Sequence, residues 1–300
     1  MAAALLVCDW GSTRLRAWTL DHVGAVMARQ DFPFGVNGLA VGEAAQRFDE
    51  DVRASLGADA LPALLCGAIG SNVGWRTAPY VDCPAGLADI AGGLASVRDD
   101  VWIAPGLRCE GLGGACDVLR GEETKVMGWL SLDPARRRGR HLVCQPGTHS
   151  KWLAVEEGRV VRFLSAFTGE LFAVLSERSI LRNDGQAADR AAFDAGLAAA
   201  ADGDALLNRL YTARARVAGG GANAESTGSY LSGLLIGAEA AATPRLLGLE
   251  GDSVVLLGDE AACGRYARAL NRRGVATSRA DGDAAVLAGL VAIARLRGLL

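Results

Sequence analysis

The sequence has no long hydrophobic run and no extended basic stripe. The first absence argues against a membrane-spanning protein, and the second argues against a nucleic-acid-binding protein. No stretch of about eighteen apolar residues occurs, so the pattern predicts no membrane span. The start, MAAALLVCDWG, has no basic segment before its apolar one, so we do not interpret it as a secretion signal. The net charge is −3, and the short run R-R-R-G-R at 136–140 is not extended by aromatic or basic residues, which argues against nucleic-acid binding.

Cysteine and histidine are too scattered to predict a metal site. The seven cysteines form no C-x-x-C pair, and the three histidines are widely separated. Cys8, Cys66 and Cys144 lie in or beside apolar runs, as buried thiols do, which indicates a reducing compartment such as the cytoplasm. A G-x-x-x-x-G-K-[ST] loop is also missing, which disfavours a Walker-type ATPase.

The chain length of 300 residues and the half-apolar composition fit two α/β domains. A meander of three strands joined by tight turns is predicted twice, with little identity between the copies. The predicted strands are 4–8, 14–20 and 23–30, then 141–145, 151–156 and 159–164. We therefore predict a duplicated α/β fold with an N-terminal domain at 1–135 and a C-terminal domain at 139–300.

Apolar spacing predicts the remaining elements. Helices are expected at 40–56, 122–131, 169–181, 189–200, 204–215, 226–241, 260–272 and 283–296. Further strands are expected at 61–66, 101–104, 253–257 and 274–278. The glycine-rich stretch 217–223 is predicted to be a loop.

The first predicted turn, Asp9-Trp10-Gly11-Ser12-Thr13, has two interpretations. It is either an ordinary hairpin with a capping aspartate or a phosphate site, in which turn amides and hydroxyls converge on an anion. Asp9, at a strand end, is the candidate that organises the hydrated Mg²⁺ ion.

A second turn, Pro146-Gly147-Thr148-His149-Ser150, again joins two apolar strands. Two such hairpins could bind a nucleotide's phosphates from both sides, so the repeat favours the phosphate interpretation of each. Lys151, which follows, is either a phosphate partner or a solvated strand residue.

Between the two hairpins lies R-G-E-E-T-K, in which Glu122 and Glu123 open a predicted helix. Carboxylates in the first turn stabilise a helix through its dipole. One of them could also be a general base that takes a proton from an attacking hydroxyl. Gly258 and Asp259, between a strand and a helix, are weaker candidates for binding a nucleoside.

Together these segments resemble the sugar-kinase, Hsp70 and actin fold superfamily. The resemblance implies a two-lobed actin-like ATPase (ribonuclease H-like) fold with ATP in the interlobe cleft. It implies phosphate motifs at residues 9–13 and 147–150 and an adenosine motif from Gly258 onward. The catalytic carboxylate of related carbohydrate kinases aligns best with Glu122, with Glu123 as the alternative.

The sequence is most similar to the 2-dehydro-3-deoxygalactonokinase family. The stretches that carry this resemblance are C-D-W-G-S-T-R-L-R-A-W, G-A-I-G-S-N-V-G-W-R-T-A-P-Y-V-D-C-P-A, R-G-E-E-T-K, Q-P-G-T-H-S-K-W, F-T-G-E-L-F-A-V-L and Y-L-S-G-L-L-I-G-A-E, from residue 8 to residue 239. The resemblance implies ATP- and Mg²⁺-dependent phosphorylation of the terminal 6-hydroxyl of 2-dehydro-3-deoxy-D-galactonate in galactonate catabolism. The composition and the cysteine pattern predict a cytoplasmic enzyme without nucleic-acid or membrane partners, and the sequence leaves a homodimer open.

The expected sugar-acid pocket has one departure from the family pattern. Its predicted residues are Arg14, Gly70, Ser71, Asn72, Trp75, Arg76 and Tyr80. Asn72-Val73 stands where family members often have Arg-Gln, so a charge expected near the substrate carboxylate is missing and Arg76 is the candidate to replace it. A related 2-keto-3-deoxy sugar acid therefore stays open as the substrate.

Two other functions share the fold. One is an exopolyphosphatase-like phosphohydrolase, which carries a similar acidic segment but needs no sugar-acid pocket. The other is a non-catalytic ATP-binding module, which would leave Glu122 and Glu123 without a role.

Overall fold

A computed structural model describes residues 2–182, 189–201 and 204–300. Up to residue 132 the elements are β1 (Ala3–Trp10), β2 (Leu15–Asp21), β3 (Val26–Phe32), α1 (Glu43–Arg47), α2 (Ala54–Leu56), β4 (Ala63–Cys66), β5 (Tyr80–Asp82), α3 (Leu87–Gly92), β6 (Ala95–Arg98), β7 (Val101–Ile103), β8 (Gly106–Glu110), β9 (Cys116–Leu119) and α4 (Glu122–Leu132). Then follow β10 (Arg140–Gln145), β11 (Ser150–Glu156), β12 (Arg159–Ala166), α5 (Thr168–Arg178), α6 (Arg190–Ala199), α7 (Leu206–Ala218), α8 (Thr227–Leu246), β13 (Val254–Gly258), α9 (Glu260–Asn271), β14 (Thr277–Asp281) and α10 (Gly282–Leu296). A π-helical stretch, Phe48–Arg53, connects α1 and α2.

The chain forms two compact units. The first contains residues 1–140, 155–162 and 282–300, and the second contains 141–154 and 163–281. The division after residue 140 lies next to the sequence boundary at 135–139, but the C-terminal helix belongs to the first unit. The predicted domains, 1–135 and 139–300, stay a prediction; the compact units differ from them in assigning 155–162 and 282–300 to the first unit.

Helix α10 belongs to the first unit because its backbone packs closely on α4. A Cβ atom added to Gly128 would lie 1.7 Å from the Ala285 carbonyl oxygen, and one on Gly289 would lie 2.0 Å from the Thr124 carbonyl oxygen. Only glycine allows two helices to approach so closely. The sequence spacing predicted both helices but could not show that they pair.

The two main sheets share one topology. Their strand orders are β3-β2-β1-β4-β7-β6 and β12-β11-β10-β13-β14. In the first, β1 pairs antiparallel with β2 and parallel with β4; in the second, β10 pairs parallel with β13. This repeated order confirms the predicted α/β fold with a duplicated meander.

Several parts of the fold differ from the sequence prediction, which contained neither helix α3 nor strand β6. A third sheet, in the order β5-β8-β9, was not predicted, because its strands are short and partly exposed and carry little hydrophobic alternation. The last strand occupies Thr277–Asp281 rather than 274–278. Residues 274 and 275 instead end α9, since Gly274 has a φ of +76° and its N–H donates to the Asn271 carbonyl.

The core of the first unit fixes where its functional residues lie. Central strand β1 is buried along most of its length between its two neighbours. The parallel strands β1, β4 and β7 end at the same edge of the sheet, where loops that carry function collect. Within the described ranges, no helix has the length and apolar character needed to span a bilayer.

Candidate functional site

The first turn, Gly11–Arg14, is a tight connection between β1 and β2. The Gly11 N–H donates to the Arg14 carbonyl at 2.9 Å. The carbonyls of Gly11 and Ser12 accept from the N–H groups of Val36 and Asn37 at 3.1 and 3.0 Å. The three residues after Gly11 are exposed. The segment at Val36 and Asn37 therefore holds the backbone of the turn, while Ser12, Thr13 and Arg14 stay exposed to solvent.

Gly35 supports this turn, and the sequence analysis missed it. A Cβ atom at residue 35 would lie 2.3 Å from the Thr13 nitrogen, closer than any side chain tolerates. Glycine is needed here because two backbone segments touch. The only sequence signal was an isolated glycine in F-G-V-N-G, which does not show which residues it approaches.

Asp9 lies at the end of β1 and is only 5% exposed. Its carboxylate forms an ion pair with Arg16, the residue directly opposite on β2. Arg16 also pairs with Asp283 in the first turn of α10. Asp9 is therefore a charged group held in place by an ion-pair network.

Three chain segments meet beside Asp9. A Cβ atom at Gly67 would lie 2.7 Å from the Trp10 carbonyl oxygen, and one at Gly121 would lie 3.1 Å from the Gly67 Cα. The Cys66 sulfur lies 3.8 Å from an Asp9 carboxylate oxygen. The ends of β1 and β4 thus contact the start of α4, which carries Glu122 and Glu123.

The two carboxylates at the start of α4 differ in environment. Glu123 is fully buried, and its oxygens accept from the Gly121 N–H at 2.6 Å and the Thr124 hydroxyl at 2.8 Å. The pKa of Glu123 is raised to about 7, mainly because the carboxyl is buried and secondly because the neighbouring Glu122 carboxylate repels its charge. Glu122 is half-buried and accepts from the Arg120 N–H at 3.1 Å. Of the two carboxylates, Glu122 is therefore the more exposed one.

The predicted pocket segment folds as a series of turns after β4. The Ala78 N–H donates to the Gly70 carbonyl, and the Trp75 N–H donates to the Ile69 carbonyl, both at 2.9 Å. The structure places Asn72 and Arg76 on the surface, whereas Gly70 is buried.

The Trp75 ring packs at 5.3 Å from the Phe48 ring. The guanidinium of Arg98 lies above Trp75, at 5.4 Å from the ring centre. This ring belongs to the packing of the first unit, and its contact with substrate stays a prediction.

Arg120 is a further polar residue of this region that the sequence analysis did not select. Its Nη2 donates to the Ala78 carbonyl at 2.8 Å, and its guanidinium lies 4.5 Å from the centre of the Tyr80 ring. A Cβ atom on Gly70 would lie 2.9 Å from Nη1 of Arg120. The available signal was its place in R-G-E-E-T-K, next to the acidic pair.

The second turn joins β10 to β11 in the second unit. Gly147, Thr148 and His149 are exposed. The Thr148 carbonyl accepts from the Glu170 N–H at 2.9 Å, near the start of α5. A Cβ atom on Gly169 would lie 2.4 Å from the Gly147 carbonyl oxygen. Helix α5 thus supports this turn as Gly35 supports the first.

The residues that follow the second turn are buried in a polar network. Ser150 bonds the hydroxyl of Tyr266 at 2.6 Å, and Glu239 accepts from that hydroxyl at 2.7 Å and from the Trp152 indole at 2.6 Å. Burial raises the pKa of Glu239. Lys151 donates to the Ser165 hydroxyl at 2.6 Å, so its predicted contact with phosphate stays a prediction.

A cavity of about 680 Å³ opens beside the second turn. The turn and helices α5, α6, α8 and α9 supply its walls. Lining residues include Pro146, Gly147, Thr168, Gly169, Phe172, Arg190, Phe193, Ser229, Leu235, Ile236, Gly264 and Arg265. Its size and mostly apolar lining suit an organic ligand.

Gly258 and Asp259 lie next to this cavity but are not among its lining residues. Asp259 caps α9 by accepting from the Ala262 N–H at 3.0 Å. Residues one turn further along the helix, including Ala262 and Gly264, reach the cavity instead.

Among the described residues, no three His, Cys, Asp or Glu side chains cluster as a metal site.

Comparison with known proteins identifies full-length relatives. The chain is 34% identical over 298 residues to the 2-dehydro-3-deoxygalactonokinase of Escherichia coli (strain K12), covering 98% of each chain. It is 36% identical over 296 residues to a probable 2-dehydro-3-deoxygalactonokinase of Rhizobium meliloti (strain 1021), covering 96% of this chain and 95% of the relative.

A solved structure from Sinorhizobium meliloti, itself provisionally assigned as a 2-dehydro-3-deoxygalactonokinase, has the same fold. Its TM-score is 0.83 at 34% identity, over 97% of this chain and 98% of that one. The duplicated sheet, the exposed strand-end turns and these relatives define a sugar kinase of the actin-like ATPase fold. The chain belongs to the 2-keto-3-deoxy-galactonokinase family, whose model matches residues 9–293.

Proposed function

We propose that this chain transfers the γ-phosphoryl group of ATP to the terminal 6-hydroxyl of 2-dehydro-3-deoxy-D-galactonate. The observation that carries this is Glu122, a half-buried carboxylate at the start of α4, beside the ends of β1 and β4. The family and the names of the relatives support the substrate.

Glu122 is the general base in this mechanism. Its carboxylate takes the proton from the 6-hydroxyl while that oxygen bonds to the γ-phosphorus, and the bond from phosphorus to the bridging β,γ-oxygen breaks. The products are the 6-phosphate and ADP. Glu123 is less suited to this role, because it is fully buried whereas Glu122 is half-buried.

Each unit has one exposed turn, 12–14 in the first and 147–149 in the second, whose amide and hydroxyl donors suit phosphate oxygens. The cavity beside the second turn accepts the adenosine, since it starts at Gly147 and is mostly apolar. Ala262 and Gly264 of α9 then replace Gly258 and Asp259 as candidate contacts to the nucleoside.

Mg²⁺ fits the residues that are present. In kinases this ion keeps several waters and binds through one or two carboxylates and the phosphates, so it needs no cluster of protein ligands. Asp9 would supply one such carboxylate; one of its oxygens pairs with Arg16, and the other lies 3.8 Å from the Cys66 sulfur. When bound, Mg²⁺ neutralises charge on the phosphates.

A substrate panel tests this function. Purified protein is incubated with ATP, Mg²⁺ and 2-keto-3-deoxy acids of the galactonate and gluconate configurations, and inorganic polyphosphate is a separate arm. We expect ADP formation that depends on the galactonate-derived acid, with a 6-phosphate product confirmed by ³¹P NMR. Phosphate release without any sugar acid would instead support the phosphohydrolase, and preference for another acid would correct the substrate.

We also propose a cytoplasmic enzyme. The seven cysteines all lie in the described part of the chain, and none forms a disulfide, as expected in a reducing compartment. The homodimer stays a prediction, which light scattering of the purified protein tests.

A further inference from the structure

An unusual group of buried polar atoms lies beside the start of α4. Within the described part of the chain, the Nε and Nη1 of Arg120 and the hydroxyl of Ser71 are buried without a hydrogen-bond partner. The three atoms belong to one region, because Nη1 of Arg120 packs on Gly70, the neighbour of Ser71. Buried donors normally have partners, so such a group needs an explanation.

Arg120 also differs from the other arginines that have an unpartnered buried nitrogen. Arg47 and Arg53 each form ion pairs with carboxylates of their own or nearby elements. For Arg120, the described residues place no carboxylate within ion-pair distance of the guanidinium. The acceptor that the described part of the chain provides for this guanidinium is the neutral Ala78 carbonyl. A buried cation without an anion is costly, so the protein keeps this charge at a price in stability.

The guanidinium is fixed in position before any ligand binds. The Ala78 carbonyl holds one edge, the Tyr80 ring covers one face, and Gly70 leaves no room on another side. The Arg120 side chain is nevertheless half-buried rather than fully enclosed. Such a fixed, planar group with unused donors suits a carboxylate, which accepts several N–H bonds in one plane.

The position of Arg120 relative to Glu122 indicates which part of the substrate this anion site would bind. The backbone N–H of Arg120 bonds the Glu122 carboxylate, while its guanidinium lies at the far end of a long side chain. A linear sugar acid has its carboxylate at one end and its terminal hydroxyl at the other. One short segment, Arg120–Glu122, could therefore contact both ends of the same substrate.

We propose that Arg120, assisted by Ser71, binds the carboxylate of the sugar acid and replaces the arginine that is missing at Asn72. This inference rests on the proposed kinase function. Asn72 and Arg76 are exposed, whereas the half-buried Arg120 has two buried guanidinium nitrogens without a hydrogen-bond partner among the described residues. The predicted role of Tyr80 changes accordingly. Its ring packs against the Arg120 guanidinium and positions it, rather than contacting the substrate itself.

The test compares the acid with its C1 carboxamide, which keeps the shape and loses the charge. In the wild-type protein, kcat/KM for the acid should exceed that for the amide by roughly 10²-fold, because an unpaired buried cation penalises the neutral analogue. Arg120→Gln should abolish this preference, mostly through loss of activity on the acid. Arg120→Lys should restore part of it, and Ser71→Ala should cost roughly 5-fold on the acid.

Two matched arginine variants complete the design. Arg108→Gln removes an exposed arginine of β8 that pairs with Asp82, and it should leave the preference unchanged. Arg76→Gln tests the earlier candidate. Equal losses on acid and amide in Arg120→Gln, or a lost preference only in Arg76→Gln, would overturn the proposal.

Binding of the acid to nucleotide-free protein, measured by calorimetry, separates this proposal from the kinase function. Binding that weakens roughly 10²-fold in Arg120→Gln supports the carboxylate site even if turnover fails on every acid. If the wild type and Arg120→Gln bind the acid equally, or if neither binds it, the site is refuted.

Discussion

Asp9 and Arg16 face each other across the β1–β2 ladder, and their side chains form an ion pair at the end of β1. Arg16 forms a second ion pair with Asp283, and Asp283 also pairs with Arg29. A residue of the C-terminal helix is thereby tied to the aspartate proposed to organise Mg²⁺. The pair explains how a charged residue can be buried at a strand end.

Removing Arg16 should destabilise the protein more than removing Asp283. Arg16→Met leaves the Asp9 carboxylate buried and unpaired, so we expect the free energy of unfolding to fall by about 3 kcal/mol. Asp283→Asn keeps the Asp9–Arg16 pair, and its side chain is 39% exposed, so the loss should stay below about 1 kcal/mol. Urea unfolding at neutral pH measures both, and equal losses would contradict this account.

Glu122 and Glu123 should differ in their effect on turnover. Glu122→Gln should lower kcat by roughly 10²- to 10⁴-fold, because the general base is lost. ATP binding, followed by calorimetry, should survive. Glu123→Gln should reduce kcat far less. If only Glu123→Gln stops turnover, the base is one residue further along the helix.

Glu123 should make stability depend on pH. Its pKa is raised from 4.5 to about 7, so between these values the folded protein holds a proton that the unfolded chain releases. Stability therefore falls as pH rises through this window, by about 3 kcal/mol from this group. Glu123→Gln cannot lose that proton.

The measurement is urea unfolding of the wild type and Glu123→Gln from below pH 4.5 to above pH 7. The variant should gain stability relative to the wild type as pH rises. A constant difference between the two proteins would show that the Glu123 carboxyl is not shifted.

Gly35 and Gly38 should respond differently to alanine. At residue 35 the new Cβ would meet the Thr13 nitrogen at 2.3 Å, whereas at residue 38 it would meet nothing within 4 Å. Gly35→Ala should distort the first turn, raise KM for ATP roughly 10-fold and cost about 1–3 kcal/mol of stability. Gly38→Ala should be neutral within about 0.5 kcal/mol. Steady-state kinetics and thermal unfolding test both, and similar KM values would argue against a phosphate role for the turn.

A larger side chain in the cavity of the second unit should weaken the binding of ATP to the protein. Gly264 lines the cavity and a Cβ added to it meets nothing within 4 Å, so Gly264→Leu adds a bulky side chain at the cavity wall. The Kd for ATP should rise roughly 10-fold or more, while the helix gains propensity. Arg272→Leu, at the exposed end of α9, is the control. Unchanged affinity in Gly264→Leu would place the nucleoside elsewhere.

The strands and turns around the two predicted phosphate sites could be predicted from the sequence, because alternation and tight turns depend on neighbouring residues. The short strands β5, β8 and β9 could not, since pairing with each other, rather than their own pattern, stabilises them. The strand β14 was shifted because the turn that ends α9 takes up the residues at 274 and 275.

The candidate site shows the same limit. The motif R-G-E-E-T-K pointed to Glu122 and Glu123, but the packing of α4 decides that one is buried and the other half-buried. Arg120 was missed because its acceptor, the Ala78 carbonyl, lies 42 residues away along the chain. Sequence spacing carries no information about such a contact.

The duplicated meander, the two turns, the acidic pair and the family can all be predicted from the sequence, because each depends on a local pattern. Tertiary packing alone brings α10 onto α4, places Gly35 against the first turn and leaves two buried guanidinium nitrogens of Arg120 without a partner among the described residues. These depend on close approach between backbone segments far apart in the chain, where the absence of a single Cβ atom decides which contacts can form.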